Sequence, residues 1–277
     1  MEETGSAMAI GAAMLRAAHQ LIDGGDKLIN DSVILKLLGA EAKDHILETS
    51  HNFFAPAPMA LRSHIILRGR YTEDCLANAY KIGVRQFLIL GAGLDTFAYR
   101  QPDWAKNIKI VEADHPASQA DKLQRLNNAG IAVPENLSFV KVDLKLDDLT
   151  LAFAKSRLNF NEPVFIACLG VLIYLTPNSI DKIFRFLGGF AAGSEFVFTA
   201  SQKRDDTLAN PAAEKAATAG EPWITYFEPE ELIKQLKDCG FSEAAFLTLE
   251  ETERLYFTNH QIHLPLPARN GIVRAVI

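Results

Sequence analysis

The chain predicts an α/β fold: a mostly parallel sheet covered by helices on both faces, an antiparallel last strand, and a helical segment in front. Three observations predict it. Five short apolar runs, separated by helical stretches, follow one another between residues 86 and 199, and such alternation gives parallel strands. The first run ends in Gly91-Ala92-Gly93, a glycine turn at the strand end where open α/β sheets receive ligands. The first 80 residues carry a helical period instead of a strand-like one.

In chain order, Ala17, Ala18, Leu21 and Ile22 form one apolar helix face, and Val33, Ile34, Leu37 and Leu38 form another beyond the Gly24-Gly25 turn. Ala55-Pro56-Ala57-Pro58 separates these from a helix expected over Leu61 to Tyr80. Gln86–Leu90 (QFLIL) is an uninterrupted apolar run, as expected of a strand buried on both faces. Further strands are expected at Ile108–Ala113, Ser138–Val142, Val164–Cys168 and Glu195–Thr199. Thr176 and Pro177 supply an N-cap and a first-turn proline, Ile180, Ile183, Phe184 and Leu187 follow at helical spacing, and Gly188-Gly189 ends that helix. Pro229 opens another, with Gly240 as its stop. Lys203 to Gly220, polar and alanine-rich, reads as a mobile excursion. Ala244–Leu249 and Arg254–Thr258, with no evident helix between them, read as the closing antiparallel pair.

Composition narrows the function. The 277 residues are enough for one large core with a modest accessory part. With 28 Lys and Arg against 34 Asp and Glu, the net charge is −6, so the chain lacks the broad positive field that holds duplex nucleic acid. Three distant cysteines, Cys75, Cys168 and Cys239, read as reduced thiols of a cytoplasmic protein. Glu2 and Glu3 stand where a signal peptide needs positive charge. The longest apolar run, Val164 to Leu175, falls short of the roughly 20 residues that span a membrane.

The glycine turn and two strand ends carry the functional signal. Acids stand at the end of the second run, Glu112 and Asp114, about twenty residues after the turn, where a carboxylate accepts from ribose hydroxyls. Asp143 follows the third run. The turn reads Gly91-Ala92-Gly93-Leu94-Asp95-Thr96, so the third glycine of a pyrophosphate fingerprint is missing and a carboxylate precedes its position. Asp95 repels a pyrophosphate; it suits the ammonium and sulfonium of S-adenosylmethionine, or acts through loop structure. Exposed N–H groups of the turn are expected to face the ligand.

These residues carry a resemblance. VRQFLILGAGLDTFAYR (84–100) and VEADHPASQADK (111–122) resemble the leucine carboxyl methyltransferase family, and in particular its bacterial O-methyltransferases. Supporting matches lie at residues 15–17, at RGRYTED (68–74), at Val142-Asp143-Leu144 and at Gly220–Trp223. The resemblance implies a class I methyltransferase (Rossmann-like) sheet over residues 81–277, preceded by an N-terminal helical lid over residues 1–80. It further implies that S-adenosylmethionine is the cofactor: Arg68 would bind the methionine carboxylate, Gly91, Ala92 and Gly93 would floor the methionine tail, Asp114 instead of Glu112 would take the ribose, and Asp143 and Leu144 would contact the adenine. Leu169 stands where eukaryotic members carry an acid after the fourth strand, which argues against methylation of a phosphatase's terminal leucine. Without the resemblance, Arg68 reads as an arginine on an exposed helix face near Glu73 or Asp74.

No catalytic base stands out. None of the seven histidines sits in a base-plus-orienter motif, and His260 and His263 offer no third metal ligand. Tyr174 reads as a partly buried aromatic; Trp223 and Tyr226 wall the substrate pocket or anchor their loop. A carboxylate acceptor needs no base at pH 7, so the expected reaction forms a methyl ester on a small molecule or peptide, with Arg16 of the lid as the candidate to hold the acceptor's second oxygen. Two rivals remain at this point: a nicotinamide-dependent oxidoreductase, and a cofactor-binding regulatory protein without catalysis, which Leu169 keeps in play.

Overall fold

A computed structural model describes residues 6–202, 211–258, 260–269 and 271–277. Glu2, Glu3 and residues 203–210 of the expected excursion lie outside the described residues. Five helices come first: α1 (Ala7–Leu21), α2 (Ser32–Leu38), α3 (Ala40–Glu48), α4 (Ser50–Phe53) and α5 (Pro56–Lys81). The alternating part follows as β1 (Gln86–Leu90), β2 (Lys109–Asp114), α6 (Pro116–Asn128), β3 (Leu137–Lys141), α7 (Leu149–Phe153), β4 (Phe165–Cys168), α8 (Pro177–Gly188) and β5 (Glu195–Thr199). The chain then runs through α9 (Pro211–Thr218), α10 (Pro229–Asp238), β6 (Glu243–Phe246), α11 (Leu249–Tyr256) and β7 (Ile272–Val276).

The seven strands form one sheet in the order β3-β2-β1-β4-β5-β7-β6. β1 to β5 are parallel, while β7 pairs antiparallel with both β5 and β6. The pleat divides the core between two faces. Leu88, Leu90, Ile166 and Phe198 pack with α7, α8 and α10, whereas Phe87, Ile89, Phe165 and Val197 pack with Ile66, Leu67 and Leu76 of α5. α8 starts on the Thr176 cap, whose hydroxyl accepts from the Ser179 N–H (3.2 Å). Gly188 at its end permits a backbone crossing, since a Cβ there would lie 1.7 Å from the Cys239 carbonyl oxygen. A third cluster joins Ala13, Ala17 and Ala18 of α1 and Ile34 of α2 to Leu94 of the glycine turn, so the first helices fold over that turn.

The end of the chain differs from the sequence reading. An antiparallel pair closes the sheet, but its second strand is Ile272–Val276. Residues 254–258, expected as a strand, belong to the end of α11 and the turn after it. The cause is a capping box: Thr248 accepts from the Glu251 N–H and Glu251 reaches back to the Thr248 N–H. A second difference lies at Pro56 and Pro58. They form the first turn of α5 instead of a separator, because a proline there forfeits no helical hydrogen bond. Pro211–Thr218 is helical, within the segment read as an excursion.

Candidate active site

A cleft of about 2190 Å³ opens at the carboxyl ends of β1, β2 and β4 and is roofed by α1 and α5. It is more than twice the roughly 1,000 Å³ at the upper end for one small-molecule ligand, so it has room for two. Arg68, Gly91, Ala92, Gly93, Asp95, Asp114, Asp143, Leu144 and Leu169 all line it. Arg16, Tyr174, Trp223 and Tyr226 line it too. Glu112 does not: it is buried behind β2 in an ion pair with Lys122 (2.6 Å).

The glycine turn differs from the expectation in one respect. The N–H groups of Gly91 and Ala92 both donate to the Ala113 carbonyl (2.8 and 3.3 Å), and that of Gly93 donates to the Asp114 carboxylate. The amides expected to face a ligand are therefore spent fastening β1 to β2. A single 3₁₀ turn, Phe97–Tyr99, follows where a dinucleotide site needs the start of an α-helix. The turn is consequently not a pyrophosphate cradle. Asp95 accepts from the Phe97 N–H (2.8 Å) and so shapes the loop itself. Gly91 has φ +65°, and a Cβ on it would meet Val171 at 2.3 Å.

Asp114 accepts from the backbone N–H groups of Gly93 and His115. Burial pushes its pKa above the usual carboxylate value while those two bonds pull it back. A carboxylate has about four lone-pair sites, so acceptor capacity remains for ligand hydroxyls. His115 acts structurally, its Nδ1 accepting from the Ala117 N–H at the head of α6 (3.3 Å). At the end of β3, Asp143 accepts from the Lys145 N–H (2.8 Å).

Arg68 is an unpaired cation of the cleft among the described residues. Glu73 pairs with Arg100, and Asp74 with Arg70, which removes the exposed-arginine reading. No carboxylate pairs with Arg68 among the described residues. Its guanidinium lies over Gly170, where a Cβ would sit 2.9 Å from both terminal nitrogens. Burial draws its pKa down to about 10, with Tyr174 nearby opposing and Arg16 reinforcing, so it stays charged at neutral pH. A half-buried, unpaired cation calls for an anion.

Arg16 departs from the sequence reading. Its guanidinium pairs with Asp31 and donates to the Leu94 carbonyl (2.9 Å) and the Thr96 hydroxyl (2.6 Å). Asp31 also accepts from Thr96 (2.8 Å). This buried network fastens the first helices to the glycine turn and leaves Arg16 little to offer an acceptor. His19 likewise has an orienter that the sequence reading missed: its Nδ1 is 2.9 Å from Asp23, which Arg62 also holds. That group is absent from the cleft lining and acts as a buried brace between α1 and α5.

His64 was the least legible member of the site. It lines the cleft one helical turn before Arg68, and its buried Nδ1 has no partner. Burial first, then the Arg68 charge, hold its pKa down at about 3. The i, i+4 spacing of His64 and Arg68 was the available signal. Tyr174 is half-buried, its hydroxyl accepting from the Trp223 indole N–H (3.3 Å). Trp223 thus both walls the cleft and anchors its loop.

The sheet order, the antiparallel end strand and the cleft over β1 and β2 define a class I methyltransferase fold. Comparison with known proteins gives the family. Residues 9–188 match the model of the leucine carboxyl methyltransferase family, and the chain belongs to that family. YktD of Bacillus subtilis, which carries the provisional name S-adenosyl-L-methionine-dependent methyltransferase, is 30% identical over 224 residues, covering 76% of this chain and 69% of YktD. A similarly named protein of Mycobacterium marinum is 27% identical over 227 residues, covering 79% of this chain and 73% of its own. Among solved structures, a provisionally named methyltransferase from Thermobifida fusca superposes with a TM-score of 0.55 at 19% identity, covering 99% of this chain and 95% of that one. A DUF574 family protein from Streptomyces avermitilis gives 0.58 at 15% identity, covering 99% and 97%. The oxidoreductase and the non-catalytic regulator find no support in these matches.

Proposed function

We propose that this chain is an S-adenosylmethionine-dependent O-methyltransferase that converts a carboxylate of a small molecule or peptide into its methyl ester. In this reading Arg68 pairs with the methionine carboxylate, Gly91, Ala92 and Gly93 floor the tail, Asp95 holds the loop in shape, and Asp114 accepts from the ribose hydroxyls. Asp143 and Leu144 border the adenine, Leu169 offers an apolar contact in place of an acid, and residues 1–80 form the lid. The cofactor supplies the activated methyl group; the chain supplies binding, alignment and exclusion of water. An acceptor oxygen forms the new O–CH₃ bond as the S–CH₃ bond breaks, and the electron pair of that bond remains on sulfur.

The observation that supports a carboxylate over a hydroxyl is His64. A phenol, with a pKa of about 10, gives no proton to an imidazole held near 3. Burial raises the pKa of Tyr174, and the lone pair of His115 is taken by Ala117. Among the described residues, His64, Tyr174 and His115 thus give the methionine end of the cleft no base, and a carboxylate needs none. With S-[methyl-³H]adenosylmethionine and an accepting extract, the label is expected to leave as volatile methanol after mild alkali. Label fixed in an alkali-stable product would contradict ester formation.

A further inference from the structure

The cleft extends well beyond its cofactor end. From Arg68 back to the start of α5, the residues lining it include His64, Leu61, Ala60, Pro58 and Ala57. At a rise of 1.5 Å per residue, His64 lies about 6 Å along the axis from Arg68, and Ala57 about 10 Å further on. The order is a cation, an imidazole, and then only apolar side chains. The cavity is also lined by Ile173, Tyr174, Trp223 and Ile224, held together by the Trp223–Tyr174 bond and by the Ile224 N–H to the Ile173 carbonyl (2.8 Å). Leu61, Ile224 and Tyr226 are 36%, 49% and 38% exposed and all line this cavity. Large apolar side chains left open in a groove mark a ligand surface.

We propose that the acceptor is a carboxylic acid with an extended apolar body, its carboxylate beside His64 and its body running along Leu61 toward Ala57. The proposal rests on the ester-forming reading above and adds the substrate class. A neutral imidazole gives one N–H to the acceptor carboxylate, filling the place that Arg16 leaves vacant. The partnerless ring nitrogen and the unpaired guanidinium make this end of the cleft complementary to an anion. A sugar or peptide body would set amides or hydroxyls against Leu61, Ala60, Pro58 and Ala57 of α5, which offer them no side-chain partner, although His45 and Asn52 also line the cavity.

The test is kcat/KM for decanoate, acetate, decan-1-ol and an acetylated peptide ending in leucine, each with tritiated S-adenosylmethionine. Decanoate is expected to exceed acetate by at least about 100-fold, a modest fraction of what eight buried methylenes can supply. Leu61→Glu and His64→Gln are each expected to lower the decanoate value at least tenfold with cofactor affinity unchanged; the binding titration also reports that the variants fold. Acetate or the peptide matching decanoate, or both variants keeping full decanoate turnover, would overturn the apolar-acid assignment while leaving ester formation intact. Cofactor binding with no acid labelled, or label entering decanol, would overturn the ester-forming reading itself.

Discussion

Asp114 and Glu112 stand two residues apart on β2, and one step of depth separates their roles. Asp114 ends the strand and opens into the cleft, whereas Glu112 is covered and paired with Lys122. Asp114→Ala is expected to weaken S-adenosylmethionine binding by roughly 1.5–3 kcal/mol, the range for hydrogen bonds to a charged group. Glu112→Ala leaves Lys122 buried and unpaired, which costs about 3–5 kcal/mol of stability, with a smaller effect on binding. Titration calorimetry and thermal unfolding on both variants check this crossed pattern. His64 gives a pH signature. Its folded pKa of about 3 lies below the ordinary histidine value of 6.5, so between those values the unfolded chain binds the extra proton and stability falls as pH falls. His64→Gln removes that proton uptake and is expected to lose less stability than the native chain between pH 7 and pH 4, measured by urea unfolding.

At the scale of elements, the strands were legible where apolar runs were long and unbroken. The bounds of β1 and β5 match their apolar runs, and those of the three strands between differ by one residue. Arg254 to Thr258 misled because its leucine, tyrosine and phenylalanine suit a strand, while the Thr248 to Glu251 box upstream had already committed the segment to a helix. β7 was missed because Arg274 interrupts the apolar run in IVRAV and the strand takes its order from β5 and β6, which no local pattern records. In the site, the nine residues carried by the glycine turn and the resemblance meet in one cleft. The internal use of the turn amides, the engagement of Arg16 and the isolation of His64 were not legible, since each depends on contacts between distant segments. One such contact gives an element-scale prediction. Glu221 accepts from the Ser6 hydroxyl and the Met8 N–H (3.0 Å each), capping α1 from across the cleft. Glu221→Ala is expected to cost about 1 kcal/mol at that helix end. It should speed hydrogen exchange at residues 8–12 while exchange in α8 stays unchanged; equal rates in the variant would show that the cap does not hold the lid.

For the whole molecule, the first helices, the sheet ends and the 220–226 segment enclose one space, in which Arg68 is an unpaired cation among the described residues. This space is built for S-adenosylmethionine and not for a dinucleotide. Isothermal titration of the native chain and of Arg68→Met tests it most directly. One S-adenosylmethionine site per chain is predicted, at least about tenfold weaker in the variant because a charged hydrogen bond is lost, with no comparable affinity for NAD or NADP. Tight nicotinamide binding, or an Arg68→Met variant that holds S-adenosylmethionine as firmly as the native chain, would contradict the account.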